Sequence, residues 1–529
     1  MSNLTTEILV IGGGSTGVGI VRDAALRGFK AVLVERSDLA TGTTGRFHGL
    51  LHSGGRYAVK DPISAKECID ENRVLRKIAA DCIEDTGGLF VITDHDDPAF
   101  AEPFLAGCQK AGIPVQDMPL AEVLRREPRL NPKISRAFWV PDATIDSWKT
   151  CWANARDAQA HGAQILVYHK VMGLIREADT VTGAVVKNMR TGEELTIHAD
   201  FTVNASGAWA GQIAAMAGVN VTVVGGKGIM IAMNHRLTHM VINRCKRPSD
   251  GDIIVPIHTV CIIGTTDVRV ADPDDWPIED KEVQYMLDEG EKLVPGFRQA
   301  RALRVWGGVR PLYQPNAANV TDTRDVSRTY TLLDHPETDG VKGFVTMTGG
   351  KFTTYRQMAE VTMDMVCRHL KTERPCTTAT QAMPGSEEGR FYWLGSRLAK
   401  READMQGDQL ICECELIPRK RLLNAFEQFA TIDLDDIRRV LRLSMGPCQG
   451  GFCMYRAAGL LHEVRKASTD ATNQALLRFL QERWKGDQPL LWGDQLRQAQ
   501  LDNWIFQSIL DVQHLPPVNE PAAVQEGRA

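Results

Sequence analysis

At 529 residues, with 43% hydrophobic and 24% charged side chains, the chain is too long for one compact core and too apolar for wholesale disorder. Two or three globular domains are expected, and a net charge of −5 gives no basis for binding nucleic acid, so a small anionic ligand must be held by local basic groups. No apolar stretch approaches the roughly 20 residues of a spanning helix, no secretory signal is read ahead of "EILVIGGG", and twelve cysteines in a long chain suggest reduced thiols with a metal or redox role where they cluster.

The first element is an apolar run at residues 8–11, which suits a buried parallel strand. Gly12, Gly14 and Gly17 follow with G-x-G-x-x-G spacing, and Ser15 and Thr16 open a helical pattern through Val18, Val21, Ala25 and Leu26 that stops at Gly28. A second strand at residues 31–34 closes on Glu35. The first glycine permits a tight turn, the second lets backbone approach a pyrophosphate, and the third lets helix pack on strand. The helix start offers N–H groups to the phosphates, and Glu35 can accept ribose hydroxyls. An acid there disfavours NADP but does not separate NAD from FAD. The loop "RSDLATGTTGRFHGLLHSGGRYAVK", with Arg36 at its start, can wrap a long cofactor through hydroxyl and backbone contacts.

Residues 75–150 and 220–300 carry weaker signals. Stretches such as "GDIIVPIHTVCIIGTT" read as strands of a capping sheet; His258 and Asp267 lie there without an assigned role. A strand at residues 201–203 runs into Ala205, Ser206 and Gly207, whose small bulk permits close approach to a cofactor. "GFVTMTGGKFTTYRQMAE" reads as strand, Gly-Gly turn and helix, the helix stripe being Met358, Val361, Met365 and Val366. Arg56, Arg310 and Lys351 each follow a Gly-Gly pair ("SGGRY", "GGVRP", "GGKFT"), where backbone bulk is least and a cation can project toward a phosphate.

After residue 383 the texture changes. Residues 384–408 read as a polar connector with a short helix. Residues 409–461 hold Cys412 and Cys414 as C-x-C, then Cys448 and Cys453 as C-x4-C, with helical sequence between. Four thiolates suit either a [2Fe–2S] cluster or tetrahedral zinc. Residues 462–529 read as a helical tail with the stripe Leu476, Phe479 and Leu480 and the bulky Trp484, Trp492 and Trp504, packed on the parent domain or docked on a partner; its last fifteen or so residues read as flexible.

The motifs "VIGGGSTGVGIVRDAALRG", "GRFHGLLHSGGRY", "VNASGAWA", "WGGVRPL" and "TGGKFTTYRQMAE" resemble, in this order, the FAD-dependent glycerol-3-phosphate dehydrogenases of the D-amino-acid-oxidase-like group. The resemblance covers roughly residues 5–380, and the cysteine spacing resembles the bacterioferritin-associated-ferredoxin-like [2Fe–2S] domain. It implies an α/β fold: an FAD-binding Rossmann-like domain within residues 1–383, a discontinuous β-rich substrate cap, a small helical four-cysteine domain and the tail. It implies FAD at Gly12, Gly14, Ser15, Thr16, Gly17, Glu35, Arg36, Thr43, Thr44, Gly45, His48, His52, Gly54, Val171, Ala205, Gly207, Gly350, Lys351, Phe352 and Thr353. Glycerol 3-phosphate would lie among Arg56, Tyr57, Arg310, Lys351 and Thr354, with Arg310 and Lys351 stabilising alkoxide character at C2 as it is oxidised to dihydroxyacetone phosphate. His48 and His52 are both candidate bases, and neither is assigned. The cysteine quartet implies electrons relayed to quinone in anaerobic respiration, through a second catalytic subunit plus a membrane-anchoring iron–sulfur subunit, at the cytoplasmic face of the inner membrane. Two other readings stay open: an amino-acid or amine oxidase with a zinc-binding tail, and a non-catalytic flavin and iron–sulfur electron-transfer subunit.

Overall fold

The structure is a computed structural model that describes residues 2–315, 322–404, 408–428, 433–511 and 514. Its first sheet has eight strands. At the centre Ser2–Ile11 runs parallel to Ala31–Val34 on one side and Glu194–Asn204 on the other. Gln164–Leu166 extends the sheet past Ala31–Val34, and Phe344–Gly349 joins Glu194–Asn204 in parallel. Residues 8–11 and 31–34 are buried on both faces, which is why they read as unbroken apolar runs. Helices Ser15–Leu26, Ser147–Ala160 and Tyr355–His369 cover one face and share a core with the strands through Val18, Val21, Leu33, Ala155, Met363 and Val366.

The second sheet has nine strands and is mostly antiparallel. It draws on Gly88–Ile92, Gln116–Asp117 and Arg136–Val140, on four strands between residues 223 and 264, on Val268–Val270 and on Ala302–Tyr313. The cap therefore reaches beyond residue 300: Ala302–Tyr313, which carries the "WGGVRPL" motif, pairs along its length with Val223–Met233. Conversely Ala143–Ile145 leaves this sheet to pair with Leu50–Leu51 and Ile83–Glu84.

The cysteine region is a ribbon, Leu410–Cys412 with Ile417–Pro418, packed on helices Arg419–Gln428, Leu434–Leu441 and Cys453–Arg465. The expected tail is not a separate unit. Leu476, Phe479 and Leu480 of Thr469–Trp484, together with Phe506, complete the core around Cys412 and Cys453. The same stretch grips the cap: Arg483 donates to the Leu303 carbonyl at 3.3 Å, Asp487 accepts from the Val305 N–H at 3.3 Å, and Leu490 enters the cap core.

Buried charges join the cysteine unit to the nucleotide domain. Arg439 bonds Asp38 at 2.8 Å, Arg190 bonds Asp436 at 2.8 Å, and Arg442 reaches Asp146 at 3.4 Å. Among the described residues no helix is long and apolar enough to cross a membrane.

Candidate functional site

A cavity of ≈ 940 Å³ opens between the parallel sheet and the cap. One end is the glycine-rich turn. Gly12 has φ +113°, and a Cβ there would stand 2.6 Å from the Ala205 carbonyl oxygen. Gly17 faces inward onto the turn, where a Cβ would meet the Gly12 carbonyl oxygen at 1.8 Å. Gly14 gives the helix no side-chain cap, which leaves first-turn N–H groups for an anion; the Ser15 N–H already donates to the Thr44 hydroxyl at 3.0 Å. Glu35 closes the turn by accepting from the N–H groups of Gly13 at 2.7 Å and Ser37 at 2.9 Å. Burial raises its pKa, so these two donors matter to keeping it ionised. Arg36 stacks 4.2 Å from the Trp209 ring centroid and pairs with Asp274 at 2.7 Å.

The walls of this cavity bring together Gly12, Gly14, Ser15, Thr16, Glu35, Arg36, Thr43, Thr44, His48, His52, Val171, Ala205, Gly207, Gly350, Lys351 and Phe352, with Arg56, Tyr57 and Arg310. Five residues expected at the site lie behind its wall. Gly17, Gly45 and Gly54 are pressed against the carbonyl oxygens of Gly12, Ala40 and Ala65. The Thr353 hydroxyl accepts from the His52 N–H at 3.1 Å. Thr354, expected beside the substrate, is fully buried, and its hydroxyl meets the backbone of Lys351, accepting the N–H at 3.2 Å and donating to the carbonyl at 3.0 Å. All five shape the wall.

The far end is cationic. Arg56 donates to Asp252 at 2.7 Å and to the Ser249 carbonyl at 3.1 Å. Arg310 donates to Asp267 at 3.3 Å, to the carbonyls of Gly226 at 3.2 Å and Thr266 at 3.1 Å, and to the Thr265 hydroxyl. Lys351 reaches Glu67 at 3.3 Å and the Arg328 carbonyl at 2.8 Å, with its ammonium 5.4 Å from the Tyr57 ring centroid. Arg328 carries no sequence signal, since "DVSRTY" has neither a Gly-Gly pair nor a periodic pattern. Its Nη2 donates to Asp267 at 2.8 Å, while its Nη1 is buried with no partner among the described residues. Arg46 and Arg324 also line the cavity and give no signal in the sequence either. Burial alone would raise the pKa of Asp267, but Arg310 and Arg328 hold it below the usual carboxylate range. A buried donor without an acceptor is costly, and an anion supplies one.

Both histidines are neutral. Burial, aided by Arg56 and Arg310, pushes His48 down to about 3. Burial, with the charges of His48, Arg56 and Lys351, holds His52 well below the ordinary imidazole range. The Leu50 N–H donates to His48 Nδ1 at 3.2 Å, so the ring proton of His48 sits on Nε2.

Cys412, Cys414, Cys448 and Cys453 are gathered together, each close enough to two of the others to shift its acidity. No group of three or more His, Cys, Asp or Glu among the described residues has metal-shell spacing. Hydrogen bonds from Cys414 and Cys453 hold Cys412 and Cys448 well below the usual thiol range. Backbone N–H groups of Glu415 and Ser444 point at Cys412, and those of Gly450 and Phe452 at Cys448. Four sulfurs with N–H donors aimed at them fit an inorganic centre.

Residues 7–356 match the family model described as FAD dependent oxidoreductase. The chain is 44% identical over 526 residues to a protein of Escherichia coli K12 named as a subunit of anaerobic glycerol-3-phosphate dehydrogenase, covering 96% of this chain and 97% of the relative. It is 43% identical over 534 residues to a protein of Haloferax volcanii named as a subunit of the same enzyme, covering 96% and 90%. The fold is shared with the glycerol-3-phosphate dehydrogenase of Bacillus halodurans, solved with FAD, at a TM-score of 0.57 and 21% identity over 98% of this chain and 96% of that one. The unpadded glycine turn, the acid that closes it and the cap strand facing it are what such a cofactor requires, and the chain belongs to the FAD dependent oxidoreductase family, grouping within it with the proteins named as subunits of anaerobic glycerol-3-phosphate dehydrogenase.

Proposed function

We propose that this protein oxidises sn-glycerol 3-phosphate to dihydroxyacetone phosphate and passes the electrons on through its cysteine unit. The observation that carries this reading is the cationic end of the cavity, where Arg56, Arg310, Arg328 and Lys351 converge and one guanidinium nitrogen is buried without an acceptor, in a chain alike from end to end to relatives bearing that name. A lone carboxylate needs one such clamp; a phosphate dianion plus a developing alkoxide accounts for four cations.

FAD, when bound, would supply the acceptor for the hydride leaving C2. The chain's own residues bind and polarise. Arg56 and Arg328 would hold phosphate oxygens, while Arg310 and Lys351 would stabilise negative charge on the C2 oxygen. His48 carries its proton on Nε2 and acts as a donor toward the cavity. His52, also neutral, is then the better of the two to accept the hydroxyl proton. The cysteine quartet is proposed to hold a [2Fe–2S] centre, with zinc as the alternative that metal and sulfide analysis separates. Partner subunits would carry electrons to membrane quinone, keeping this chain peripheral on the cytoplasmic face of the inner membrane.

The test is anaerobic addition of glycerol 3-phosphate to the flavin-loaded protein. Bleaching of the visible flavin band by this compound, and not by glycerol or glycine, is expected. Bleaching by glycine favours the amino-acid oxidase reading, and no bleaching by any of them favours a non-catalytic electron carrier.

A further inference from the structure

A second cavity lies beside the flavin cavity. It measures ≈ 810 Å³ and is lined by the nucleotide domain, the cap and the cysteine unit, a size that suits a small organic ligand. Ser37, Thr41, Arg46 and Phe47 line both cavities, so their loop stands between the two. The glycine turn at Gly12 and Gly14 lines only the first, as do the four cations assigned above to the substrate. Strand Ala302–Tyr313 passes both. Alternate residues of a strand share a face, and on this one Arg304 and Trp306 border the second cavity while Gly308 and Arg310 border the first.

The second cavity has two kinds of wall. One is apolar and aromatic. Ala232, Ile257, Val260 and Ile262 of the cap pack with Trp306, and Phe47, Trp148 and Trp276 add ring surface. The other is rich in donors and short of acceptors. Arg304 Nε, Trp148 Nε1 and Ser444 Oγ are buried with no partner among the described residues, and Ser444 as a whole is only 2% exposed. Arg304 donates from Nη2 to the Glu482 carbonyl at 2.8 Å, and no carboxylate pairs with it among the described residues. Burial, with Arg438 and Arg483 nearby, pushes Arg304 down to about 9, and burial lowers Arg46 as well.

The acids of the cavity do not relieve this. Asp38 is engaged by Arg439 at 2.8 Å, Asp435 by Arg438 at 2.8 Å, Asp433 by Arg190 at 3.3 Å and Asp274 by Arg36 at 2.7 Å. Asp146 is reached by Arg442 at 3.4 Å. Glu482 is left to offset Arg46, Arg304 and Lys485. Unfilled donors and uncompensated positive charge in an enclosed space require acceptors that carry negative charge. Indole rings and β-branched side chains beside them suit a flat apolar body.

We propose that this cavity is a second ligand site, taking a small organic anion with a flat aromatic body, its charged head held by Arg304 and Arg46 and its ring lodged among Trp148, Trp276 and Trp306. The site is distinct from that of the substrate and does not depend on the functional reading above.

The test is calorimetric titration of the flavin-loaded protein with 1-naphthyl phosphate, 1-naphthol and inorganic phosphate. The naphthyl phosphate is expected to bind at least tenfold more tightly than either half alone; equal affinities for the three overturn the proposal. Arg304→Met is expected to weaken the naphthyl phosphate at least tenfold, whereas Arg328→Met, altered in the flavin cavity, leaves it within twofold. Unchanged affinity in Arg304→Met, or an equal loss in Arg328→Met, also overturns it, the latter because the probe then lies with the substrate. Should Arg304→Met fail to fold, Ser444→Ala removes a single unfilled hydroxyl and is expected to weaken the probe at least twofold; no change there is the contrary result.

Discussion

Replacing Arg328 with Met keeps length and bulk but removes the guanidinium whose Nη1 is buried without an acceptor. In the unliganded protein two effects oppose each other. The ion pair to Asp267 at 2.8 Å is lost, and a stranded donor worth about 1–3 kcal/mol of cost is removed. The melting temperature without ligand should therefore move little. In the complex the loss has no offset. A hydrogen bond between charged partners contributes about 1.5–3 kcal/mol, which corresponds to a rise of about 10- to 150-fold in KM for glycerol 3-phosphate. The same loss is visible without turnover. At about 100 times its Kd the substrate stabilises the unsubstituted protein by about 2.7 kcal/mol. At that concentration the variant should gain only about 1.4 kcal/mol or less. Steady-state kinetics and thermal melts with and without substrate read both numbers. A variant with KM and ligand-induced stabilisation within twofold of the parent would refute the argument that the orphaned nitrogen marks the phosphate.

The remaining predictions touch the cofactor turn, pH and the inter-unit contact. Gly17→Ala places a Cβ 1.8 Å from the Gly12 carbonyl, an overlap costing about 1–3 kcal/mol or more, so purified protein should retain at least tenfold less flavin; full occupancy by absorbance would contradict this. His48 is held near 3 in the fold against about 6.5 unfolded, so below pH 6.5 the unfolded chain binds the extra proton and stability is lost as pH falls toward 3. This amounts to about 2 kcal/mol by pH 5, and His48→Gln should flatten the slope of denaturant midpoints over that range. Arg439→Met strands the buried Asp38 and takes one of two cationic partners from each of Asp435 and Asp436, a loss of about 3–5 kcal/mol that should appear as an earlier unfolding transition in tryptophan fluorescence; an unchanged melt would show that the contact is dispensable.

Local rules made some elements legible and left others dark. Val10 and Ile11, Gly12 and Glu35 declare strand, turn and acid because a buried parallel strand and a backbone-tight turn each impose composition within a few residues. Arg56, Arg310 and Lys351 were legible through the small residues before them. The cap's reach to Tyr313 was not, because antiparallel pairing with Val223–Met233 joins segments some eighty residues apart, and no local pattern encodes the partner. Thr354 looked like a substrate contact because a hydroxyl in a Gly-rich turn can point either way; the fold turns it onto Lys351.

By itself the sequence determined the dinucleotide turn, the four sulfurs and the cations after glycine pairs, since each depends on residue type and spacing along a few residues. Only the tertiary structure decided that Arg328 joins those cations, that Phe506 and Leu490 bind the tail into two different cores, and that Cys412 and Cys453 are buried while Cys414 and Cys448 are partly exposed. The physical reason is that charge pairing and burial are set by neighbours in space, which distant segments supply.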